Sequence, residues 1–245
     1  MRVAVAGGTG LVGRVVVAEL SAAGHEPVVL ARSTGVDLTT GTGLAERLAG
    51  CGAVIDVTNV LTTRRSVAVE FFTKATTHLL AAAREAGVGQ VIALSIVGID
   101  DVDYGYYQGK RAQEQLIEAG GVPWTILRAT QFFEFPEPLL KHRFPVAPMP
   151  RMLARPVAAA DVAEALAGLV DAGPSGRTEP IAGPEKLQVV DMARRIERAR
   201  GSHRPVLPVP MPGKAGRDMA RGALLPAGEY VQGERTFADY LAGLR

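Results

Sequence analysis

Three side chains in this sequence have the types and spacing for proton chemistry at a carbonyl: Ser95, Tyr106 and Lys110. Tyr106 and Lys110 are four positions apart, so on a helix they share a face. An ammonium beside a phenol stabilises the phenolate and lowers its pKa from about 10, which makes the tyrosine a usable proton donor or acceptor near neutral pH. Ser95 ends the apolar run QVIALS, where its hydroxyl could hold a reacting carbonyl oxygen. Tyr104 and Tyr107 crowd the same turn, and Tyr107 also neighbours Lys110, so Tyr106 leads on spacing while the choice among the three tyrosines stays open.

A second pattern opens the chain. The apolar run Val3–Ala6 leads into Gly7, Gly10 and Gly13, and Val12, Val15, Val16, Leu20 and Ala23 follow at helical spacing. Strand, glycine turn and helix in that order form the context of a dinucleotide fingerprint, here spaced GxxGxxG. Gly7 permits a tight turn, Gly10 lets backbone approach a pyrophosphate, and Gly13 lets the helix pack close to the sheet. The pyrophosphate is expected over Thr9, Gly10, Leu11 and Val12, where free N–H groups and the helix dipole favour negative charge.

The end of the second strand sets which nucleotide fits. A carboxylate there would take the ribose 2′-hydroxyl of NAD, whereas an arginine accommodates a 2′-phosphate. The sequence places Arg32 at that point, with Ser33 as a further donor. NADP(H) is therefore the preferred cofactor, with NAD(H) as the alternative. Asp37 falls too late for the ribose but could accept from the adenine amino group.

These residues need a scaffold that collects strand ends. Strands are expected at Arg2–Ala6, Pro27–Ala31, Ala53–Val57, Gln90–Ser95 and Trp124–Arg128. Helices are expected near Val12–Ala23, Gly43–Leu48, Val67–Ala86 and Tyr104–Ala119. That alternation specifies an α/β fold, a doubly wound parallel Rossmann-like sheet with a smaller C-terminal substrate-binding portion. The stretch after Arg32 is too short for a full crossover helix, so any strand at Val36–Leu38 is very short. One domain over 1–245 is expected, with a dinucleotide-binding core at 1–130 and substrate-side elements at 131–245. In that second part, Phe132–Lys141 reads as a proline-interrupted helix and Phe144–Pro156 as loop. Ala158–Ala172 and Gln188–Ala199 read as helices, Thr178–Ile181 as a strand, Arg204–Gly216 as irregular, and Phe237–Leu244 as a docking amphipathic turn.

Composition narrows the partners. Hydrophobic residues form 47% of 245, enough for a sizeable core, and the net charge of +2 gives no electrostatic case for nucleic acid or a membrane surface. No apolar run approaches the roughly twenty residues that span a bilayer. A single cysteine, Cys51, excludes an internal disulfide and suits a reducing compartment. The first strand starting at Arg2 leaves no room for a signal peptide, so a cytoplasmic protein is expected. His25, His78, His142 and His203 lack metal-ligand spacing with one another or with Cys51, and no metal is expected.

The segments GGTGLVG, ALSIVGI, YYQGKRAQEQL and VPWTILRATQFFEF resemble the short-chain dehydrogenase/reductase superfamily, and within it the atypical NmrA-like branch of NAD(P)-binding proteins. The resemblance extends through AADVAEAL and IAGPEKL and fades after Ser202. It implies that Tyr106 is the acid/base, that Lys110 binds the nicotinamide ribose and tunes the phenol, and that Ser95 orients the substrate. VTNV replaces the Asn-Ala-Gly of typical members, so only Asn59 carries over, as lining of the cofactor cleft. Substrate contacts are expected from Gln131, Phe132, Phe133 and Met149, with packing of a core as the competing role of the apolar ones. The expected activity is NADPH-dependent reduction of an apolar carbonyl, enone or quinone-like small molecule. The branch also contains non-catalytic cofactor sensors, and the superfamily contains epimerases and isomerases. The sequence leaves oligomeric state open.

Overall fold

Runs of small and branched apolar residues build the central strands, because a parallel strand covered on both faces has no polar side to show. Val3–Ala6 and Val54–Ile55 have no exposed surface. The computed structural model describes residues 1–141 and 144–244. Its first half runs β1 (Arg2–Ala6), α1 (Leu11–Ala22), β2 (Glu26–Leu30), α2 (Leu44–Leu48), β3 (Ala53–Asp56), α3 (Arg65–Glu85), β4 (Gln90–Ile96), α4 (Gly105–Ala119) and β5 (Trp124–Ala129). There follow α5 (Glu137–Leu140), β6 (Ala147–Pro150), β7 (Leu153–Ala154), α6 (Ala159–Ala172), β8 (Gly176–Arg177), β9 (Ile181–Ala182) and β10 (Leu187–Gln188). The chain continues through α7 (Val189–Ala199), β11 (Val206–Val209), α8 (Gly213–Ala220), β12 (Val231–Gln232) and α9 (Phe237–Ala242).

The chain forms two compact units. The first comprises 1–95, 104–128 and 162–178; the second comprises 96–103, 129–161 and 179–245. The first unit orders its strands β2-β1-β3-β4-β5, with β8 beside β5. The chain moves from β1 to β2 on one side, then crosses to β3 on the other. β1 is thus the topological switch point, and a ligand crevice belongs at the carboxyl ends of β1 and β3. Ala6 pairs with both Leu30 and Asp56, and Asp56 pairs with Ala93, so these strand ends are level. The short strand considered at Val36–Leu38 is reduced to a single bridge between Asp37 and Thr42.

Helix α3 turns Ala68, Phe72, Ala75 and Leu79 inward at helical spacing. Helix α4 lies close on it because Gly109 has no side chain. A Cβ there would stand 2.8 Å from the Ala68 backbone and from the Phe72 ring. Gly105 likewise lies against the Thr63 carbonyl, which a Cβ would approach to 2.2 Å. These two glycines fix the turn that carries Tyr106 and Lys110.

The second unit departs from expectation in its local structure. The helix expected at Phe132–Lys141 shrinks to Glu137–Leu140, since Pro136 and Pro138 confine it. The expected loop Phe144–Pro156 contains β6 and β7, and Arg204–Gly216 contains β11 and the start of α8. Prolines in β6 are tolerated because they alternate with the donors. Ala147 and Arg151 give their N–H groups to the Pro205 and Val209 carbonyls, while Pro148 and Pro150 lie between. Asp161 sits in the first turn of α6 and pairs with Arg235.

Candidate functional site

The Gly7–Gly13 loop has no room for side chains. Gly7 adopts φ +80° and donates its N–H to the Leu30 carbonyl at 3.1 Å; Gly10 donates to the Gly7 carbonyl at 2.9 Å. A Cβ on Gly13 would stand 2.1 Å from the Gly7 oxygen, a contact no side chain can make. The first bond of α1 is Arg14 N–H to the Gly10 carbonyl, so the N–H groups of Leu11, Val12 and Gly13 have no helical partner. No side chain caps this helix, and its first turn holds no acid. Thr9, Gly10 and Leu11 are exposed, and Arg14 braces the loop through the Thr9 carbonyl at 2.8 Å. An uncapped, acid-free helix start behind an exposed glycine loop fits a pyrophosphate.

Arg32 and Ser33 lie exposed just past β2, on a short turn over Arg32–Thr34. Thr34 Oγ anchors that turn, accepting the Ala31 N–H at 3.1 Å and donating to the Val29 carbonyl at 3.0 Å. Asp37 spends one carboxylate oxygen on Thr39, accepting its N–H at 2.8 Å and its hydroxyl at 2.7 Å. Those bonds, the hydroxyl first, hold the Asp37 carboxyl below its ordinary value, and the nearby Arg32 charge adds to them. The same bonds make residues 37–42 a turn instead of a strand.

At the start of α4, Tyr106 is half-buried and its hydroxyl donates to Asn59 Oδ1 at 2.7 Å. The structure thus joins Tyr106 to Asn59. It gives Lys110 other company. Lys110 is 3% exposed; its Nζ donates to the Leu94 carbonyl at 2.7 Å and to Gln113 Oε1, and lies 4.9 Å from the Phe72 ring centre. Burial pushes the Lys110 ammonium down to about 8 against the opposing pull of Asp56 and Glu114. Burial pushes the Tyr106 phenol up from its ordinary 10.0. In this structure the Lys110 ammonium is bonded to two oxygen acceptors within the first unit, and the Tyr106 hydroxyl to Asn59.

Ser95 also faces inward. It is 2% exposed, and its hydroxyl makes no well-formed hydrogen bond, though it helps Glu114 stay ionised. Burial pushes the Glu114 carboxyl up, but hydrogen bonds from Arg128 and Ser95 and the charges of Arg128 and Arg177 bring it below its ordinary value. Arg128 grips Glu114 with two bonds, at 2.9 and 2.6 Å. Ser95 therefore packs beside the Glu114–Arg128 ion pair. Tyr107 is buried, Tyr104 caps α4 at 5.3 Å from the Tyr107 ring centre, and Tyr106 is the one of the three bonded to Asn59.

Sequence reasoning missed Asp56 and Gln113. Asp56 Oδ2 accepts Gln113 Nε2 at 2.8 Å, and Oδ1 accepts the Thr58 N–H at 2.9 Å. The one available signal was a carboxylate ending an otherwise apolar strand.

The four expected substrate contacts fall in the second unit. Phe133 packs edge-on to Phe237 at 5.5 Å and lies 5.7 Å from Tyr240, while Met149 has no exposed surface. Both pack in the core, the competing role that the sequence leaves open for them. Phe132 is half-buried and bridges Val157. Gln131 is buried, with its Oε1 unpartnered. Among the described residues, no group of three His, Cys, Asp or Glu could hold a metal; His142 lies outside them. No described helix is long and apolar enough to cross a membrane.

Comparison with known proteins supplies a family. A family described as NAD(P)H-binding matches residues 34–172. A (4-alkanoyl-5-oxo-2,5-dihydrofuran-3-yl)methyl phosphate reductase of Streptomyces griseus is 29% identical over 223 residues, covering 80% of this chain and 73% of its own. Among solved structures, an NADPH-dependent quinone oxidoreductase from Escherichia coli, complexed with NADPH, superposes with TM-score 0.72 at 18% identity and 99% coverage of each chain. A UDP-glucose 4-epimerase from Bifidobacterium longum, complexed with NAD+ and UDP, gives TM-score 0.78 at 13% identity, over 100% of this chain and 97% of that one. At such low identity these two structures share the fold with this chain and nothing finer.

Proposed function

The chain belongs to the NAD(P)H-binding family, and on that premise we propose that it is an NADPH-dependent reductase of the short-chain dehydrogenase/reductase kind, acting on an apolar conjugated carbonyl such as an enone, quinone or butenolide. The observation that carries this reading is the Tyr106 hydroxyl, a neutral phenol donating at 2.7 Å to Asn59, in the unit that also holds the glycine cradle. The relative named as a reductase of a dihydrofuranone phosphate supports the substrate class.

NADPH, when bound, supplies the hydride. The chain's residues hold and protonate. The N–H groups of Leu11–Gly13 take the pyrophosphate, and Arg32 with Ser33 takes the 2′-phosphate. Asn59 holds the Tyr106 hydroxyl, whose single proton leaves Asn59 Oδ1 for the substrate. The phenol, raised by burial, remains protonated in neutral solution and delivers its proton to the oxyanion that develops on the substrate as its π bond is broken. Solvent then restores the Tyr106 proton. The balance is one hydride from the cofactor and one proton from Tyr106 per reduced bond.

The test is NADPH oxidation by the full chain against enones, quinones and butenolides, with Tyr106→Phe alongside. Turnover that falls in the variant while NADPH still binds is the expected result. Wild-type turnover that Tyr106→Phe leaves intact would remove Tyr106 from the mechanism. One observation favours a second reading, a cofactor-sensing protein: the Lys110 ammonium is engaged by the Leu94 carbonyl and Gln113. Tight NADPH binding with no turnover on the whole panel is its signature.

A further inference from the structure

The ammonium of Lys110 is placed by residues far from it in sequence. Asp56, at the end of β3, is 1% exposed and as a carboxylate can only accept. It takes the Thr58 N–H on one oxygen and the Gln113 amide nitrogen on the other. An amide has one donating and one accepting end. With its nitrogen committed to Asp56, Gln113 turns its oxygen to Lys110, where Nζ also meets the Leu94 carbonyl. Gln113 is 1% exposed, so water does not compete for these bonds.

We infer that Asp56 and Gln113 are positioning residues for Lys110: Asp56 locks the Gln113 amide, whose oxygen, with the Leu94 carbonyl, holds the ammonium inside the first unit. The functional consequence rests on the reductase reading above. With the lysine so held, its charge is fixed one helical turn from the Tyr106 proton donor. The charged groups facing Lys110 are Asp56 from β3 and Glu114 from its own helix, and Glu114 is neutralised by Arg128 and Arg177. The phenols of Tyr106 and Tyr107 share α4, and α3 presents only the Phe72 ring.

The test is the titration of Lys110 in the full chain carrying 13C-labelled lysine. The chain has five lysines, and the Lys110 Cε signal is the one lost in Lys110→Arg. Wild type is expected to titrate near 8. Gln113→Glu, nearly isosteric, sets a carboxylate against the ammonium and should raise the midpoint by about one unit or more; Gln113→Met removes the acceptor and should lower it. Asp56→Asn should also lower it, by removing a charge and freeing the amide to turn. Thermal melts identify which variants are folded, and any folded one of the three reports. A midpoint unmoved in a folded variant overturns the inference. The reductase reading fails separately. Midpoints that move as expected without NADPH turnover on any panel substrate uphold the positioning and sink the reductase. Turnover with unmoved midpoints does the reverse.

Discussion

The cradle at Gly7–Gly13 and the turn at Tyr106–Lys110 are made of opposite materials. The cradle is backbone: a left-handed glycine, an uncapped helix start, and a Gly13 position where a Cβ would meet the Gly7 oxygen at 2.1 Å. The turn is side chains, and its partners come from β3, β4 and α3 as well as α4. The cradle is specified by what is absent, so added atoms break it and distant charges leave it unmoved. The turn is specified by which acceptor each donor finds, so one exchanged atom two bonds away redirects it. Damage to the cradle should appear as lost cofactor binding, and damage to the turn as lost turnover or an altered titration.

The largest expected effect lies in the turn. Tyr106→Phe removes the proton donor and should lower kcat by about 10²–10⁴. NADPH affinity by fluorescence titration should stay within about twofold, since phosphate contacts lie elsewhere. Next comes the cradle. Gly13→Ala forces the backbone apart and should weaken NADPH binding by about 10², as ångström-scale misplacement does. If that variant bound normally and lost only kcat, the division between the regions would fail. Arg32→Ala should cost about tenfold or more in NADPH affinity and little in NADH affinity, because a charge-assisted bond to phosphate is at stake.

The smallest effect separates the regions by pH. Folded Lys110 releases its proton near 8, whereas the unfolded lysine keeps it to about 10.5. Between those values the unfolded chain binds more protons, so raising the pH favours folding; below the folded value both states are protonated and the term is flat. Urea midpoints at about pH 7.5 and about pH 9.5 should therefore show wild type gaining on Lys110→Met. A gap that narrows or stays constant would mean that the folded lysine keeps its ordinary acidity.

How much was legible follows from the same contrast. The ladder from β1 to β5 could be read because its strands are branched apolar runs, with β2 to β5 each preceded by a glycine turn, and α1, α3 and α4 fall close to their expected spans. The cradle could be read because only glycine fits it. The second unit read poorly where prolines hide strands: β6 looks like loop until Ala147 and Arg151 are seen donating across Pro148 and Pro150. At the turn, the pairing of Tyr106 with Lys110 was drawn from helical spacing, which places two residues on one face without saying where their ends go. Lys110 went to Leu94 and Gln113, and Tyr106 to Asn59, 47 positions away. Asp56 and Gln113, 57 positions apart, meet only because β3 and α4 are brought together in three dimensions.

The central claim, that a cofactor hydride and a Tyr106 proton reduce one bond, is tested most directly with NADPH deuterated at the transferring position of C4 and the best substrate of the panel. Mass spectrometry of the product should find one deuterium from NADPH per turnover and one solvent-derived hydrogen, with the yield lost in Tyr106→Phe. Product formed without deuterium, or turnover that consumes no NADPH, would contradict the account and point to transient cofactor use of the epimerase kind.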